Sequence, residues 1–339
     1  MKKINLMTLT LFFIYHFFSC DNDKNRADYL KNTIEIYSDF IEIDELVGRP
    51  YDIVICDSLI IYYDYYDKLI YSVYDLKNNI FKGRFLSVGG GPNEVLPPLD
   101  ILSSNNNLIV YQRNSAIIHN IDLPDFVISK SITINSLNGW KPEGFVRTKD
   151  YYIGFGFFDN GRFQILDSDT QFLTECGEYP FSGKNMNNMS AFMTYQGPKC
   201  ANPDSNYFVA SSKYSDHIAF YEVINGEVSK LKEYSSHDAN VTLHNNGVQI
   251  NDNCVMSYTY AYGTTNYCYM LYCGKTYIEN DRRTRGGQLI IMFDWHGNHI
   301  KTFKADCAIQ SFCVDEKNNM IYASVLDKNY EYLIAKFQY

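Results

Sequence analysis

The chain has 339 residues, of which 46% are hydrophobic, so it can hold one large domain or two ordinary ones with a sizeable core. Its 39 acidic and 30 basic residues give a net charge of −9, which argues against a nucleic-acid-binding protein because such proteins carry a basic face that tracks phosphates. Tyrosine and phenylalanine favour β-strands, so the 30 Tyr and 22 Phe predict an all-β fold.

Residues 1–19 resemble a bacterial lipoprotein signal peptide. Two lysines precede an apolar stretch at 4–18 that is shorter than the roughly 20 residues needed to span a bilayer. The stretch is followed by Ser19-Cys20, so we expect Cys20 to carry the lipid and residues 20–30 to form a polar tether. This interpretation predicts an outer-membrane lipoprotein that faces the periplasm or the cell surface. An ordinary secretory signal with an incidental cysteine is the alternative.

Residues 31–339 repeat a pattern of strand-like runs six times. An apolar or aromatic run opens each repeat and a second run follows it; the opening runs start at Leu59, Leu108, Tyr151, Tyr207, Tyr269 and Met320. Blades of β-propellers have periods of about 40 to 50 residues, so the longer intervals imply loop insertions. Short strands, frequent turn signals and no long segment of helical period together predict an all-β, six-bladed β-propeller over residues 31–339.

The first and last repeats indicate how the ring is built. Residues 89–91 are three consecutive glycines, which suit a sharp corner between one blade and the next. The last blade stops at Tyr339 after its third strand, which leaves an edge of the kind that proteins normally cover. Residues 33–38 and 40–43 alternate apolar and polar side chains, so we expect one of these N-terminal segments to complete that blade.

Four short motifs occur in the first repeat and the last two. They are Gly-Pro-Asn-Glu at 91–94, Leu-Tyr-Cys-Gly-Lys at 271–275, Phe-Asp-Trp-His-Gly-Asn at 293–298 and Asp-Glu-Lys-Asn-Asn-Met-Ile-Tyr at 315–322. Together they resemble the TolB-like six-bladed propeller lipoproteins of Bacteroidetes, and the resemblance covers residues 31–339. It implies a propeller fold and a cell-envelope location. It implies no reaction, because no catalytic set defines the family, and His296 stands where an acidic or amide residue is usual.

The spacing of cysteines and histidines predicts no metal site and no other cofactor. Eight cysteines follow Cys20, and none forms a CxxC pair or lies near histidines at zinc-ligand spacing. In an exported protein a disulfide is possible among three of them, Cys254, Cys268 and Cys273. His296 and His299 flank a tight turn, for which an exposed hairpin is the expected structure.

Loops on one face of the propeller hold the candidate binding residues. In each blade, the loop between the second and third strands emerges on the same face as the connection to the next blade, so these loops surround one rim of the channel. The predicted rim contains Tyr65, Tyr66, Arg113, Trp140, Arg282, Arg283 and Arg285, together with residues 158–160. Guanidinium groups bind carboxylates and phosphates, and a tryptophan in a loop is a stacking surface for sugars or peptides. A solvated arginine loop and a tryptophan packed against a neighbouring blade are the alternatives.

These features predict a non-catalytic binding or scaffold protein of the cell envelope, with a polypeptide or glycan as its partner and a lipid anchor on Cys20. The alternative is a propeller enzyme, a lyase or a calcium-dependent hydrolase, with its site in the central channel. An enzyme requires acidic, amide or histidine side chains that converge on the channel axis. A binding protein presents aromatic and charged loops on the rim and an unremarkable channel.

Overall fold

The computed structural model describes residues 30–339 except 44, 46, 105, 106, 135–140, 181–185, 246 and 328. Two short strands open this part of the chain, β1 (Ile34–Ile36) and β2 (Asp39–Phe40). Six antiparallel sheets follow and stand around a central channel as the blades of a propeller, with the innermost strand of each blade next to that of its neighbours. The predicted signal peptide, Cys20 and the start of the tether lie outside the described residues.

Blades one and two span residues 53–133. Blade one contains β3 (Ile53–Cys56), β4 (Leu59–Tyr66), β5 (Leu69–Asp75) and β6 (Ile80–Val88), and the short β7 (Glu94–Val95) runs parallel to β6. Blade two contains β8 (Leu99–Ser104), β9 (Asn107–Gln112), β10 (Ile117–Asp122) and β11 (Val127–Thr133). The triple-glycine turn lies between the two blades, as predicted. Its close folding depends on Glu94, whose carboxylate accepts a 2.7 Å hydrogen bond from the Gly91 amide.

Blades three and four are separated by a helical insertion. Blade three contains β12 (Gly144–Arg147), β13 (Tyr151–Phe155), β14 (Phe163–Asp167) and β15 (Phe172–Cys176). Helix α1 (Asn188–Tyr195) follows, and it begins where the Asn187 side chain accepts a 2.8 Å hydrogen bond from the Ser190 amide. Blade four contains β16 (Lys199–Ala201), β17 (Tyr207–Ser211), β18 (Ile218–Ile224) and β19 (Glu227–Tyr234). No helix in the described part of the chain is long and apolar enough to cross a bilayer.

Blades five and six share one long strand. A hairpin of β20 (Val241–His244) and β21 (Gly247–Ile250) is inserted before blade five, which then contains β22 (Tyr258–Gly263), β23 (Tyr267–Tyr272), β24 (Gly287–Asp294) and the first part of β25 (His299–Asp315). The second part of β25 is the innermost strand of blade six, which continues with β26 (Met320–Leu326) and β27 (Tyr332–Gln338). The two insertions account for the longer intervals predicted between repeats.

The N-terminal segment closes the ring, as the sequence predicts. Strand β2 pairs antiparallel with β27, with Asp39 opposite Lys336, and so forms the fourth strand of blade six. Strand β1 pairs in parallel with β25 and inserts Ile36, which is 2% exposed, into the core between blades five and six. The chain is therefore an all-β, six-bladed propeller whose last blade is completed from the opposite end of the sequence.

The core consists of apolar layers between neighbouring blades. Along β4 the side chains alternate, so that Ile60 and Tyr62 pack toward blade six while Ile61 packs toward blade two. Both faces of the middle strands are thus buried, which explains why these strands read as nearly continuous apolar runs. The runs predicted to open each repeat are in fact the second strands of the blades. An innermost strand precedes each of them; it is shorter than the second strand in blades one, three and four, and it contains a charged residue in blades two, three and four.

Candidate functional site

The channel contains a cavity of about 360 Å³ at the ends of the innermost strands. Four charged residues lie at equivalent places, where the chain leaves a blade connection and enters an innermost strand. Asp52 precedes β3, Asp100 is the second residue of β8, Glu143 precedes β12 and Lys199 is the first residue of β16. The blade connections therefore define one mouth of the channel, and its walls carry charge.

Basic side chains outnumber acidic ones in the lining of the channel. The acidic residues are Asp52, Asp100 and Glu143, and the basic residues are Arg113, Arg147, Arg162, Lys199, Lys213 and Arg285. A site with six basic and three acidic groups contrasts with the net charge of −9 for the whole chain. Low-dielectric walls concentrate such a field, so the channel favours anions although the protein as a whole is acidic.

Two of the acidic residues are already neutralised by arginines. Arg113 forms a bidentate pair with Asp100, with its Nε donating to Oδ2 at 3.0 Å and its Nη2 donating to Oδ1. Arg285 lies 4.0 Å from Asp52 and donates a 2.8 Å hydrogen bond to the Tyr51 carbonyl. These pairs hold two guanidinium groups at the channel wall in defined orientations.

The two lysines of the channel lack such partners. Within the described residues, neither Lys199 nor Lys213 forms an ion pair or a side-chain hydrogen bond, although both are half-buried. Burial lowers the pKa of Lys199, and the positive charge of Arg113 adds to this while Asp100 opposes it. Burial, reinforced by Arg285 and Lys199, lowers the pKa of Lys213 to about 8. A neighbouring anion would stabilise the protonated form of both amines.

Gly144 makes room for the amine of Lys199. A Cβ atom at this position would lie 2.7 Å from the Lys199 Nζ and 3.4 Å from the Asp100 Oδ2. Any larger residue at the start of β12 would displace the lysine from the wall. The glycine therefore keeps the lysine and the aspartate side by side at the mouth.

Arg162 is the most buried basic group of the lining, with 4% of its surface exposed. Its Nη2 atom contacts the carbonyls of Tyr195 and Ser211 at 3.5 Å each, which is the outer limit of hydrogen bonding. Its Nη1 atom is buried without a hydrogen-bond partner in the described part of the chain. A buried guanidinium without a carboxylate is costly, because its desolvation is not compensated. Arg162 therefore contributes a buried positive charge to the inner wall of the cavity.

The arginines predicted as a rim set have three different environments. Arg282 forms a bidentate pair with Asp252, at 3.0 and 2.8 Å. The guanidinium of Arg283 lies 5.1 Å from the ring centre of Tyr330. Of the three, only Arg285 lines the channel, and Arg113 joins it there. The predicted cluster is thus divided between a surface ion pair, the outer rim and the channel.

Tyr65 and Tyr66 of the predicted rim lie at the exposed end of β4. Tyr65 is 53% and Tyr66 48% exposed, and the ring of Tyr66 stacks against the guanidinium of Arg84 at 4.7 Å. Of residues 158–160, only Phe158 is buried, and its carbonyl accepts a hydrogen bond of 2.6 Å from Asn188 of α1, whereas Asp159 and Asn160 are exposed. Trp140 lies outside the described residues, so its place on the rim remains a prediction.

Of the described thiols and imidazoles, only the Cys200 thiol belongs to a residue that lines the channel cavity. All eight described cysteines are free, including the three for which a disulfide was possible from the sequence. Among the described residues, no three His, Cys, Asp or Glu side chains lie close enough together to hold a metal ion. The imidazole of His299 is 2.9 Å from the Thr302 hydroxyl, within its own hairpin.

Most of the channel charges were not predicted from the sequence, although a signal for four of them is present. Each follows a proline by one or two residues at the start of an innermost strand; the pairs are Pro50 and Asp52, Pro98 and Asp100, Pro142 and Glu143, and Pro198 and Lys199. Arg162 and Lys213 show no such pattern. Both reach the channel from loops between second and third strands.

The fold and the channel define the protein as a six-bladed propeller with a basic cavity on its axis. The chain belongs to the family described as TolB-like 6-blade propeller-like, whose model matches residues 31–317. It is similar to the crystal structure of a Bacteroides fragilis protein whose export is inferred, with 11% identity, a TM-score of 0.55 and coverage of 89% of this chain and 94% of that one.

A structure of the protein U3-55K is also similar, with 8% identity, a TM-score of 0.50 and coverage of 89% of this chain and 98% of that one. At such low identities the similarities show the fold alone. None of the curated proteins matches the sequence.

Proposed function

We propose that this protein is a cell-envelope binding propeller that captures an anionic group of a polypeptide or glycan in the mouth of its central channel. One observation carries the proposal. The cavity holds Arg162, Lys199 and Lys213 without carboxylate partners in the described residues. Its volume of about 360 Å³ falls within the range of small-molecule sites.

The unpaired charges favour binding because folding has already removed part of their hydration, so an entering anion does not incur that cost again. A free lysine or arginine in a partly buried wall destabilises the folded protein, and residues of this kind persist where function requires them. An entering carboxylate, sulfate or phosphate would replace lost hydration with charge-assisted hydrogen bonds. The paired guanidinium groups of Arg113 and Arg285 would orient the same anion from the wall.

A lipid anchor on Cys20 would place this channel in the cell envelope. The apolar segment that ends before Ser19-Cys20 supports this location, as does the inferred export of the similar Bacteroides fragilis protein. A single acyl chain binds membranes only marginally, so the location requires more than one chain on the anchor. The outer-membrane assignment and the choice between the periplasm and the cell surface are part of the proposal.

The test measures binding of short anionic probes to the purified protein. Labelled galacturonate dimer and a labelled Glu-Glu dipeptide represent the two ligand classes, and fluorescence polarisation gives their affinities. The double variant Lys199→Gln/Lys213→Gln should weaken binding of at least one probe by about tenfold or more, the effect of losing hydrogen bonds to charged groups. The double variant Lys82→Gln/Lys301→Gln changes the net charge equally at two exposed lysines on outer strands. Equal losses in both variants would contradict the proposal.

A lyase is the second candidate function, and the lowered pKa of Lys213 is the observation that favours it. A lysine that titrates near neutral pH can remove a proton from carbon, as the elimination step of a lyase requires. A lyase and a binding protein leave different products when they are incubated with an anionic glycan. Incubation of galacturonate oligomers with a lyase releases unsaturated products that absorb ultraviolet light, whereas a binding protein returns the oligomers unchanged.

A further inference from the structure

A shallow groove of about 240 Å³ lies on the outer rim, beside the channel mouth. It is lined by Arg49, Arg283, Leu326, Tyr330 and Tyr332. Arg49 precedes β3, Arg283 belongs to the connection between β23 and β24, and the two tyrosines flank the start of β27. Blades one, five and six therefore contribute to the groove.

Both arginines of the groove stack on tyrosines and have no carboxylate partner in the described residues. Arg283 lies 5.1 Å from the ring centre of Tyr330, which is 64% exposed. Arg49 lies 5.9 Å from the ring centre of Tyr332 and donates a 2.9 Å hydrogen bond to its hydroxyl. Stacking engages the flat face of a guanidinium and leaves most of its N–H edge free for an anion.

Neither described acidic residue of the loop before β27, Asp327 or Glu331, forms an ion pair with these arginines. The carboxylate of Asp327 accepts hydrogen bonds from the amides of Asn329 and Glu331, at 2.8 and 2.7 Å. Its negative charge therefore stabilises the turn that carries Tyr330. Apart from the Nε atom of Arg49, which donates to Tyr332, the groove keeps guanidinium donors that no described carboxylate accepts.

A single tyrosine connects the groove to the channel. The guanidinium groups of Arg49 and Arg285 lie 4.9 and 4.8 Å from the ring centre of Tyr51. Arg49 lines the groove, whereas Arg285 lines the channel. The two basic sites are thus neighbours that share one ring, and one linear ligand could reach both.

We infer that the groove is a second anion subsite and that the ligand is a linear anionic glycan, which occupies the groove and the channel mouth together. This inference rests on the proposed function, because it assigns the ligand class of that site. The polar groups of the groove favour a glycan over an acidic peptide. Guanidinium groups only donate hydrogen bonds, and the hydroxyl of Tyr332 already accepts one from Arg49.

An acidic peptide fits the groove less well than a glycan does. Its backbone amides need acceptors, and the side chains of the groove offer few. A glycan presents carboxylate or sulfate oxygens, which accept from the arginines, and hydroxyl groups, which serve as donors or acceptors. The exposed ring of Tyr330 offers a flat surface to a sugar.

The test compares probes of different length and chemistry on the full protein. Galacturonate dimer and hexamer, chondroitin sulfate hexasaccharide, neutral maltohexaose and a hexaglutamate peptide are labelled and titrated. The anionic hexasaccharides should bind at least tenfold more tightly than the dimer, and maltohexaose should not bind. Arg49→Gln/Arg283→Gln should remove the advantage of the hexamer and leave dimer binding unchanged. Arg49→Lys/Arg283→Lys, which keeps the charge but not the planar group, should retain part of the advantage.

Each contrary result identifies which statement fails. If the groove variant binds the hexamer like the unchanged protein while Lys199→Gln/Lys213→Gln loses it, the inference is overturned and the proposed function stands. If only the groove variant loses the hexamer, the channel is not the site and the proposed function fails. Tighter binding of hexaglutamate than of either hexasaccharide overturns the glycan assignment. If Lys82→Gln/Lys301→Gln loses as much binding as the groove variant, the effect depends only on net charge, and the inference is overturned.

Discussion

Arg113 and Asp100 form a bidentate ion pair at the mouth of the channel, with the Nε atom donating to Oδ2 at 3.0 Å. Asp100 and Lys199 lie side by side next to Gly144. The arginine therefore occupies the carboxylate that would otherwise neutralise the lysine. The Lys199 amine is left in a partly buried wall without an ion pair, as is the amine of Lys213.

Replacing Lys213 with methionine should stabilise the folded protein near neutral pH. The side chain is half-buried without an ion pair, and its alkyl part can pack equally well without the charge. We expect the free energy of unfolding at pH 7 to rise by about 0.5–2 kcal/mol, a usual gain when a functional residue is replaced for stability. Thermal denaturation measures the change. Lys301→Met, at an exposed position, should change stability by at most about 0.5 kcal/mol.

The stabilising effect of Lys213→Met should decrease at alkaline pH. The pKa of Lys213 is about 8 in the folded protein and near its ordinary value of 10.5 when unfolded. Between these values the unfolded chain binds more protons, so the unchanged protein gains stability as the pH rises. The difference between it and the variant should be largest below pH 8 and nearly absent above pH 10.5. A constant difference from pH 7 to 10.5 would show that charge burial is not the cause.

Binding of an anionic probe should weaken as the pH rises from 7 to 9. Lys213 loses its proton in this interval, and with it the charge that faces the ligand. Titration of galacturonate dimer at several pH values measures the effect, which should reach several-fold. The variant Lys213→Gln should bind more weakly at pH 7 and should vary less over the same interval. Identical pH profiles for the two proteins would exclude Lys213 from the site.

The fold was predictable from the sequence because its signals are local. The second strand of each blade is buried on both faces, and its apolar run is therefore conspicuous, as in β4 and β9. The covering strand was predictable from the alternation near Ile36 together with the uncovered edge of the last blade. The innermost strands were harder to recognise, because a strand such as β16 has only three residues and begins with a lysine.

The site was only partly predictable because it is assembled from distant residues. The predicted topology placed Arg113 and Arg285 on the correct face, and both line the channel. It could not separate Arg282 from Arg285, since the partner of Arg282 is Asp252, which lies in a different insertion. Arg162 lies in the loop between β13 and β14, and nothing in the sequence marks it as buried. Its burial follows only from the packing of α1 and blade four around it.

Truncation of Ile36 should destabilise the closed ring. This side chain is 2% exposed, whereas Ile34 in the same strand is 49% exposed. We expect Ile36→Ala to lower the free energy of unfolding by about 2–5 kcal/mol, as for other buried isoleucines, and Ile34→Ala to change it little. Removal of residues 31–43 should have a larger effect and cause aggregation, because β27 loses its partner strand. Thermal melts and size-exclusion chromatography measure both effects. A truncated protein that melts like the unchanged one would mean that β1 and β2 are dispensable.

Replacing Cys20 with alanine should release the protein from membranes. The prediction depends on the apolar segment that ends before Ser19-Cys20 and not on the propeller. Fractionation of cells that express either form, followed by detection in the membrane and soluble fractions, measures the change. Cys176→Ala, at a free thiol in the propeller, should remain in the membrane fraction and serves as the control. If Cys20→Ala also remains there, the segment is not a lipoprotein signal.

Single substitutions in the arginine loop should have three distinct effects on binding. Arg285→Gln should weaken galacturonate dimer and hexamer alike, by about tenfold, because Arg285 lines the channel. Arg283→Gln should weaken only the hexamer, because its side chain lies in the outer groove. Arg282→Gln should weaken neither, since its guanidinium is held by Asp252 at 2.8 Å and it lines neither the channel cavity nor the groove. Fluorescence polarisation with the labelled probes measures all three variants at one ionic strength. Equal losses for the three would mean that the loop acts through its summed charge rather than through the separate positions of its arginines.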